Sequence, residues 1–120
     1  MNIDKYLDRK YDSANYNCAH FVCDVFKDLF NTDYYKILQA VLLPTMERRL
    51  RSVNLGHLER LAVPRSPCLA LFQVGRNTPH VGVWLDGRIL HIKESGVEYS
   101  RLEDIMLGFK KVRFFNVKNS

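Results

Sequence analysis

The sequence predicts an α+β fold in which helices come first and an antiparallel β-sheet follows. Apolar residues recur at helical spacing just after Cys18, at positions 22, 25, 26, 29 and 30. After Pro67 the composition changes to short runs rich in β-branched and aromatic residues. Asp86-Gly87 separates two of these runs, which is a strong signal for a two-residue hairpin turn. Helices followed by a hairpin-rich sheet are typical of α+β proteins.

Length and composition indicate one globular domain that spans residues 1–120. A chain of 120 residues with 47% apolar and 26% charged residues has enough apolar surface for a single core. The amino-terminal segment MNIDKYLDRKYDS is too polar for a secretory signal, and no apolar run reaches the length of a membrane span. We therefore expect a soluble protein without a membrane-spanning helix.

The first helix is predicted to begin at Cys18, because Asn17 is a favoured N-cap residue. Its apolar side is expected to face the sheet, and the polar residues from Asn31 onward end the pattern. At the first helical position, Cys18 lies among unpaired backbone N–H groups that favour negative charge.

Two further helices are predicted over 34–43 and 45–61, separated by Pro44. Together with the loop that follows, they form a predicted helical insertion over 34–66. We expect this insertion to shape a cleft or a partner surface rather than to supply chemistry.

The β-rich half of the chain predicts a sheet of short strands. Asn, Asp and Gly residues mark the turns between the apolar runs. The predicted strands cover 68–74, 80–85, 88–93, 96–100 and 111–117, with a helical turn over 102–107 before the last one.

The predicted hairpin brings two histidines together. If the Asp86-Gly87 turn is the whole loop, Gly82 lies opposite His91. Side chains alternate between the two faces of a strand, so His80 and His91 share a face as diagonal neighbours. Their Cβ atoms would lie roughly 7 Å apart, which lets one imidazole hydrogen-bond the other. Gly82 is expected to leave an open space beside both rings.

Cys18, His80 and His91 fit the requirements of nucleophilic catalysis. A thiol becomes a useful nucleophile beside a helix N-terminus and an imidazole, when a third polar group fixes the imidazole tautomer. The three residues are therefore the candidate nucleophile, general base and orienting residue. Each also has a structural interpretation, because a cysteine at a helix start usually packs and a strand histidine is usually structural. The two histidines on one face favour the triad.

Other uses of the polar residues receive no support from their spacing. Three cysteines, at positions 18, 23 and 68, are an odd number, which argues against a disulfide framework. With the histidines at 20 and 57 they lack the short paired spacing of structural zinc sites. The formal charge of +5 suits an anionic partner, yet no nucleic-acid-binding motif accompanies it. We predict no metal, no cofactor and no nucleic-acid partner.

Four segments of the chain form a recognisable set of motifs: CAHFV at the helix start, SPCLALFQ and HVGVWL in consecutive predicted strands, and LHI in the strand after the hairpin turn. They resemble NlpC-type cysteine peptidases, which are papain-like amidases of bacterial cell walls. CAHFV resembles the family's cysteine at a helix start, HVGVWL its histidine strand, LHI the strand with the third polar residue, and SPCLALFQ the strand before the histidine. The resemblance covers about residues 11–25 and 66–99. It implies a papain-like fold with Cys18 as nucleophile, His80 as general base and His91 as orienting residue.

The resemblance also implies an activity, a substrate class and a setting. Members hydrolyse amide bonds, so a peptide link of the peptidoglycan stem is the expected substrate, and other amides remain open. A compact domain of this kind resembles phage-encoded members, which implies phage tail or virion proteins as partners and a cytoplasmic or virion-associated location. The alternative is a non-catalytic phage structural or binding protein that retains the papain-like fold.

The sequence departs from the family pattern around the cysteine. Asn17 stands where the family usually has Asp, and Ala19-His20 where it usually has Ser-Gly, so His20 is expected to crowd the substrate path. Members also often place a tyrosine upstream of the cysteine, near the oxyanion. Tyr11 is the candidate for this role, with Tyr16 and Tyr6 as alternatives.

Overall fold

The computed structural model describes residues 3–12, 16–31, 58–73 and 80–117. It contains an amino-terminal helix packed on a six-stranded antiparallel sheet, which confirms the predicted α+β class. Among these residues no helix has the length and apolar character of a membrane span. The elements are α1 (Cys18–Phe30), β1 (Leu58–Leu61), β2 (Cys68–Gln73), β3 (His80–Leu85), β4 (Arg88–Lys93), β5 (Gly96–Ser100), the short helix α2 (Leu102–Ile105) and β6 (Lys111–Val117).

Helix α1 begins and ends where its capping residues dictate. The side chain of Asn17 accepts hydrogen bonds from the backbone N–H groups of Ala19 and His20, and Nδ1 of His20 accepts one from the Asn17 N–H. This reciprocal pair satisfies donors that a helix start leaves without partners. At the other end Asn31 adopts a left-handed conformation with φ 51°, which stops the helix. The predicted start at Cys18 is confirmed.

The strands follow the order β1-β6-β2-β3-β4-β5, and every neighbouring pair is antiparallel. Leu85 pairs with Arg88 and Val83 with Leu90, which is the predicted register of the hairpin. The turn takes positive φ angles at Asp86 (50°) and Gly87 (88°), as a two-residue hairpin turn with the twist of the strands requires. The alternation of apolar and polar residues and the turn residues therefore predicted the register of this hairpin correctly.

The sheet carries a core on each of its faces. The helix face, which α1 covers, includes Val81, Val83 and Leu90. The opposite face, called here the histidine face, includes Phe72 and Ile89 and contacts α2. Neighbouring residues along each strand belong to different cores, because successive side chains point to opposite sides. Cys18 thus packs against the helix face, whereas His80 and His91 extend from the histidine face.

The prediction of where the third helix ends is wrong. Residues Leu58–Leu61, assigned to the helix over 45–61, form strand β1 and pair with β6 from Leu58↔Val117 to Leu61↔Phe114. The edge of β6 offers backbone partners from the far end of the chain, and such non-local pairing outweighs a short helical pattern. No inserted helix lies among the described residues. The predicted helix over 34–43, the rest of 45–61 and His57 lie outside them.

Candidate active site

His80 and His91 form a direct contact across the β3–β4 pair. Nε2 of His80 and Nδ1 of His91 lie 2.9 Å apart. The rings meet edge to face, with centroids 5.1 Å apart and an interplanar angle of 74°. The contact confirms the predicted diagonal relationship of the two residues. Diagonal neighbours on one face of an antiparallel pair are close enough for two rings to touch. The remaining ring nitrogen of His80, Nδ1, has no hydrogen-bond partner within the described part of the chain.

Ser100 continues this contact on the next strand. Nε2 of His91 lies 3.1 Å from Oγ of Ser100. Ser100 was not among the predicted site residues, although the sequence carries a signal for it. Glu94-Ser95 forms a second two-residue loop, so Lys93 pairs with Gly96, and Ser100 therefore lies on the same face as His91.

The surroundings of both histidines disfavour positive charge. The His80 ring stacks on Phe109 with centroids 5.7 Å apart, and His91 is only 2% exposed. Burial is the main cause that lowers the pKa of each histidine, and with the nearby charges it brings both pKa values to about 4. A charge on His91 and the charge of Lys93 contribute at His80, while at His91 Glu98 opposes the lowering and Lys93 adds to it. Both rings are therefore neutral at pH 7, which leaves one lone pair on each for accepting a proton.

The prediction of an open space at Gly82 is wrong, because neighbouring side chains fill that space. A Cβ atom built on Gly82 would lie 2.6 Å from Cγ2 of Ile89 and 3.1 Å from Cβ of His91. Both distances are shorter than ordinary contacts between carbon atoms. Gly82 thus allows β4 side chains to approach β3 closely, and any side chain there would displace His91 or Ile89.

A cavity of about 770 Å³ opens instead on the histidine face, between the sheet and α2. His80, His91 and Ser100 contribute to its wall together with charged residues. Two ion pairs lie in this wall, Lys93–Glu98 at 2.9 Å and Arg101–Asp104 at 3.1 Å, as does the cation Arg88. For Arg88 no carboxylate lies within ion-pair distance among residues that the structure describes.

Cys18 lies at the start of α1 with its sulfur close to β3. Burial raises the pKa of Cys18, and the nearby backbone N–H groups of Val81, Ala19 and Cys18 itself oppose this with a smaller effect. The resting side chain is therefore a neutral thiol, with N–H groups nearby that would stabilise a thiolate.

The N–H of Val81 is available because the β3–β4 ladder ends before it. The register of the two strands runs from Leu85↔Arg88 to Val83↔Leu90 and stops there. Alternate residues of an antiparallel strand direct their N–H groups to the same neighbour, so Val81 would point toward β4 as Val83 does. The Cys18 sulfur lies near this N–H, which lowers the pKa of the thiol. Cys18 thus lies where the two strands begin to separate.

The structure brings His80 and His91 together but does not join Cys18 to them. Within the described ranges no hydrogen bond connects the Cys18 sulfur to the His80 ring. Cys18 packs against the core on the helix face, near the backbone N–H of Val81, while the His80 ring projects from the other face. The candidate nucleophile and the candidate base therefore lie on opposite faces of the sheet.

Of the three tyrosines considered for the oxyanion, Tyr11 is the one whose pKa a charge on Cys18 would raise. Burial is the larger cause that raises the pKa of Tyr11. The hydroxyl of Tyr16 donates to Asp24 at 2.6 Å, and that of Tyr6 donates to Asp28 at 3.2 Å. Tyr11 as the oxyanion donor stays a prediction.

The His20 ring lies at the N-cap of α1. Its Nδ1 accepts the N–H of Asn17 at 3.1 Å, and the ring stacks on Tyr16 with centroids 6.3 Å apart. His20 therefore serves as a capping residue of α1, and the crowding of the substrate path stays a prediction.

No protein-family model matches the sequence, and no curated protein matches it significantly. The NlpC-type resemblance therefore continues to depend on the motifs around Cys18, His80 and His91, together with the geometry that the chain itself presents.

Proposed function

We propose that this protein is a cysteine hydrolase of amide bonds with a papain-like, NlpC-type fold. Cys18 is the nucleophile, His80 the general base and His91 the orienting residue. The contact of 2.9 Å between Nε2 of His80 and Nδ1 of His91 carries the proposal. It occupies the outer nitrogen of His80 and leaves Nδ1, the nitrogen nearer the main chain, for proton transfer. A base needs this arrangement, because a third group must fix the tautomer of its ring.

The location of the thiol supports the same assignment. The backbone N–H of Val81, the residue that directly follows His80, lowers the pKa of Cys18, so this N–H lies near the sulfur. Nucleophile and base therefore both lie at the start of β3, beyond the last paired residues of β3 and β4. Catalytic hydrogen bonds are often long in the free enzyme and tighten when the substrate binds. A rotation of the Cys18 side chain toward the end of β3 is the movement that this proposal requires.

The proposed reaction is acyl transfer to water. His80 Nδ1 takes the thiol proton as the sulfur of Cys18 attacks the amide carbonyl, and the tetrahedral oxyanion accepts hydrogen bonds from a backbone N–H and from Tyr11. Collapse of this intermediate transfers the proton from His80 to the departing amine and leaves a thioester. Water then attacks the thioester with His80 as base, which releases the acid and restores the thiol.

Peptidoglycan stem peptides are the proposed substrate class. Their carboxylates suit a chain with a formal charge of +5. Arg88 supplies a cation at the cavity that no neighbouring acid neutralises in the described part of the chain. We further propose a phage protein that works with tail or virion proteins, a setting that only the motif resemblance supports.

Digestion of purified peptidoglycan tests the proposal, with the products identified by mass. The full chain is expected to release peptides with new amine and carboxyl ends, and Cys18→Ala and His80→Ala to lose at least 100-fold of this activity. Cys23→Ala, five residues further along the same helix, is the matched control and should retain it. Full activity of Cys18→Ala would overturn the proposal.

The absence of a Cys18–His80 hydrogen bond among the described residues favours a second candidate, a non-catalytic binding protein with the same fold. In that case the cavity on the histidine face binds a peptide that is not cleaved. Cosedimentation of the chain with peptidoglycan separates the two functions. Binding without any released product, and equal binding by Cys18→Ala, would favour this candidate over the hydrolase.

A further inference from the structure

Three polar side chains form a continuous chain across three neighbouring strands of the histidine face. His80 comes from β3, His91 from β4 and Ser100 from β5. The two contacts measure 2.9 Å between His80 Nε2 and His91 Nδ1, and 3.1 Å between His91 Nε2 and Ser100 Oγ. Each residue lies diagonally across from the previous one, so the strand register alone aligns them.

The direction of these hydrogen bonds follows from proton counting. When His80 carries the proton that it takes from the thiol, both of its ring nitrogens are donors. His91 Nδ1 must then accept, so the proton of neutral His91 lies on Nε2. Its only partner there, within the described residues, is Ser100 Oγ. Ser100 must therefore accept a hydrogen bond in the state in which the histidine pair is charged.

We propose that Ser100 is a positioning residue of this site, which holds His91 in the Nε2–H tautomer so that His80 Nδ1 remains free to act as base. The inference rests on the proposed function, because it assigns Ser100 a role in the same proton transfer. Its hydroxyl also extends the network in which each hydrogen bond polarises the next. Ser100 touches neither thiol nor substrate, and it acts through His91.

The neighbouring charged groups do not replace Ser100. Glu98 lies opposite His91 on β5, but its carboxylate pairs with Lys93 at 2.9 Å. The next ion pair along the cavity, Arg101–Asp104, closes on itself at 3.1 Å. Loss of the Ser100 hydroxyl therefore leaves the Nε2–H of His91 without a protein acceptor among these residues. The opposite tautomer, with protons on Nδ1 of both rings, then becomes favourable, and it blocks the base.

The test compares Ser100→Ala and Ser100→Thr with Ser95→Ala, which removes an exposed serine from the β4–β5 turn. Nitrogen-15 chemical shifts of the histidine rings at pH 7 report which nitrogen carries the proton, independently of activity. Ser100→Ala should show protonated Nδ1 at His91 and His80, and a kcat that is lower by roughly tenfold with KM unchanged. Ser100→Thr keeps the hydroxyl and should behave as the unsubstituted chain, as should Ser95→Ala.

The two readouts distinguish failure of this inference from failure of the proposed function. Unchanged ring tautomers in Ser100→Ala would overturn the role of Ser100 even if the chain hydrolyses its substrate. If the unsubstituted chain hydrolyses nothing but Ser100→Ala inverts the tautomers, the positioning role stands and the hydrolase proposal fails. A tautomer change in Ser95→Ala of the same size would also overturn the assignment to Ser100.

Discussion

Nε2 of His80 and Nδ1 of His91 lie 2.9 Å apart on the face of the sheet that α1 does not cover. This relationship determines which nitrogen of His80 can exchange a proton with a thiol. It also couples the titration of the two rings, because a charge on one disfavours a charge on the other. Both pKa values are lowered to about 4, so the pair stays neutral through the neutral pH range.

Cys18 should react with iodoacetamide before the other two cysteines. It is partly exposed, whereas Cys23 is 8% exposed and Cys68 is fully buried. Because burial raises the pKa of Cys18, its labelling should be slow at pH 7 and accelerate steeply above pH 8, as the reactive thiolate forms. Mass spectrometry of digested protein measures the rate at each site. Fastest labelling at Cys23 or Cys68 would contradict this prediction.

The hydrolytic activity should persist in mildly acidic solution. The base must be neutral, and the pKa of His80 is lowered to about 4, so kcat/KM should decrease only as the pH falls toward that value. A half-maximal point near the ordinary histidine value would show that the pair is charged more easily than the structure indicates.

Removal of a nearby charge gives a directional control for that pH profile. Lys93→Met removes a positive charge that lowers both histidine pKa values and leaves Glu98 unpaired, which raises that of His91. The acidic limb of kcat/KM should therefore move to higher pH. Lys111→Met changes an exposed lysine at the start of β6 and should leave the limb in place.

Acidification should destabilise the fold through the same two histidines. Their pKa values rise from about 4 in the folded state to the ordinary 6.5 in the unfolded chain, so the unfolded chain binds more protons between these values. Their stabilising effect is complete above pH 6.5 and is lost as the pH falls toward 4. Between pH 7 and pH 5 the loss is about 2 kcal/mol for each histidine. Urea unfolding at both pH values measures it.

A His91→Gln variant should lose less stability over the same pH interval, because one of the two titrating rings is absent. The glutamine amide can still hydrogen-bond His80, so the comparison does not require a cavity in the core. An equal loss in the variant and the unsubstituted chain would assign the acid sensitivity to other groups.

Gly82→Ala should destabilise the fold by about 1–3 kcal/mol, since the added methyl group enters the space that Ile89 and His91 fill. The displaced His91 should also weaken the contact with His80 and lower activity. Gly108→Ala is the matched control, because its Cβ would meet only one backbone oxygen, at 3.8 Å. Thermal unfolding and hydrolysis rates measure both effects. Equal stability of the two variants would show that β3 and β4 separate more easily than the structure indicates.

Much of the site was predictable because its determinants are local. The Asp86-Gly87 turn sets the β3–β4 register, and the alternation of side chains then places His80 and His91 on one face. Asn17 likewise determines where α1 begins. The same argument, applied to the β4–β5 hairpin, predicts that Ser100 lies on the same face as His91. The predicted site included only residues from the β3–β4 hairpin.

What the sequence determined by itself is therefore the set of local elements: the capped helix that begins at Cys18, the short strands and the register of the hairpin with its histidine pair. Only the tertiary structure decided how distant segments meet. It made Leu58–Leu61 a strand, because β6 offered an edge some fifty residues further along the chain. It also placed Cys18 near the backbone N–H of Val81, on the opposite face from the His80 ring. The packing of a helix on a sheet sets that distance, and no spacing along the chain encodes it, since each of these contacts depends on the whole core.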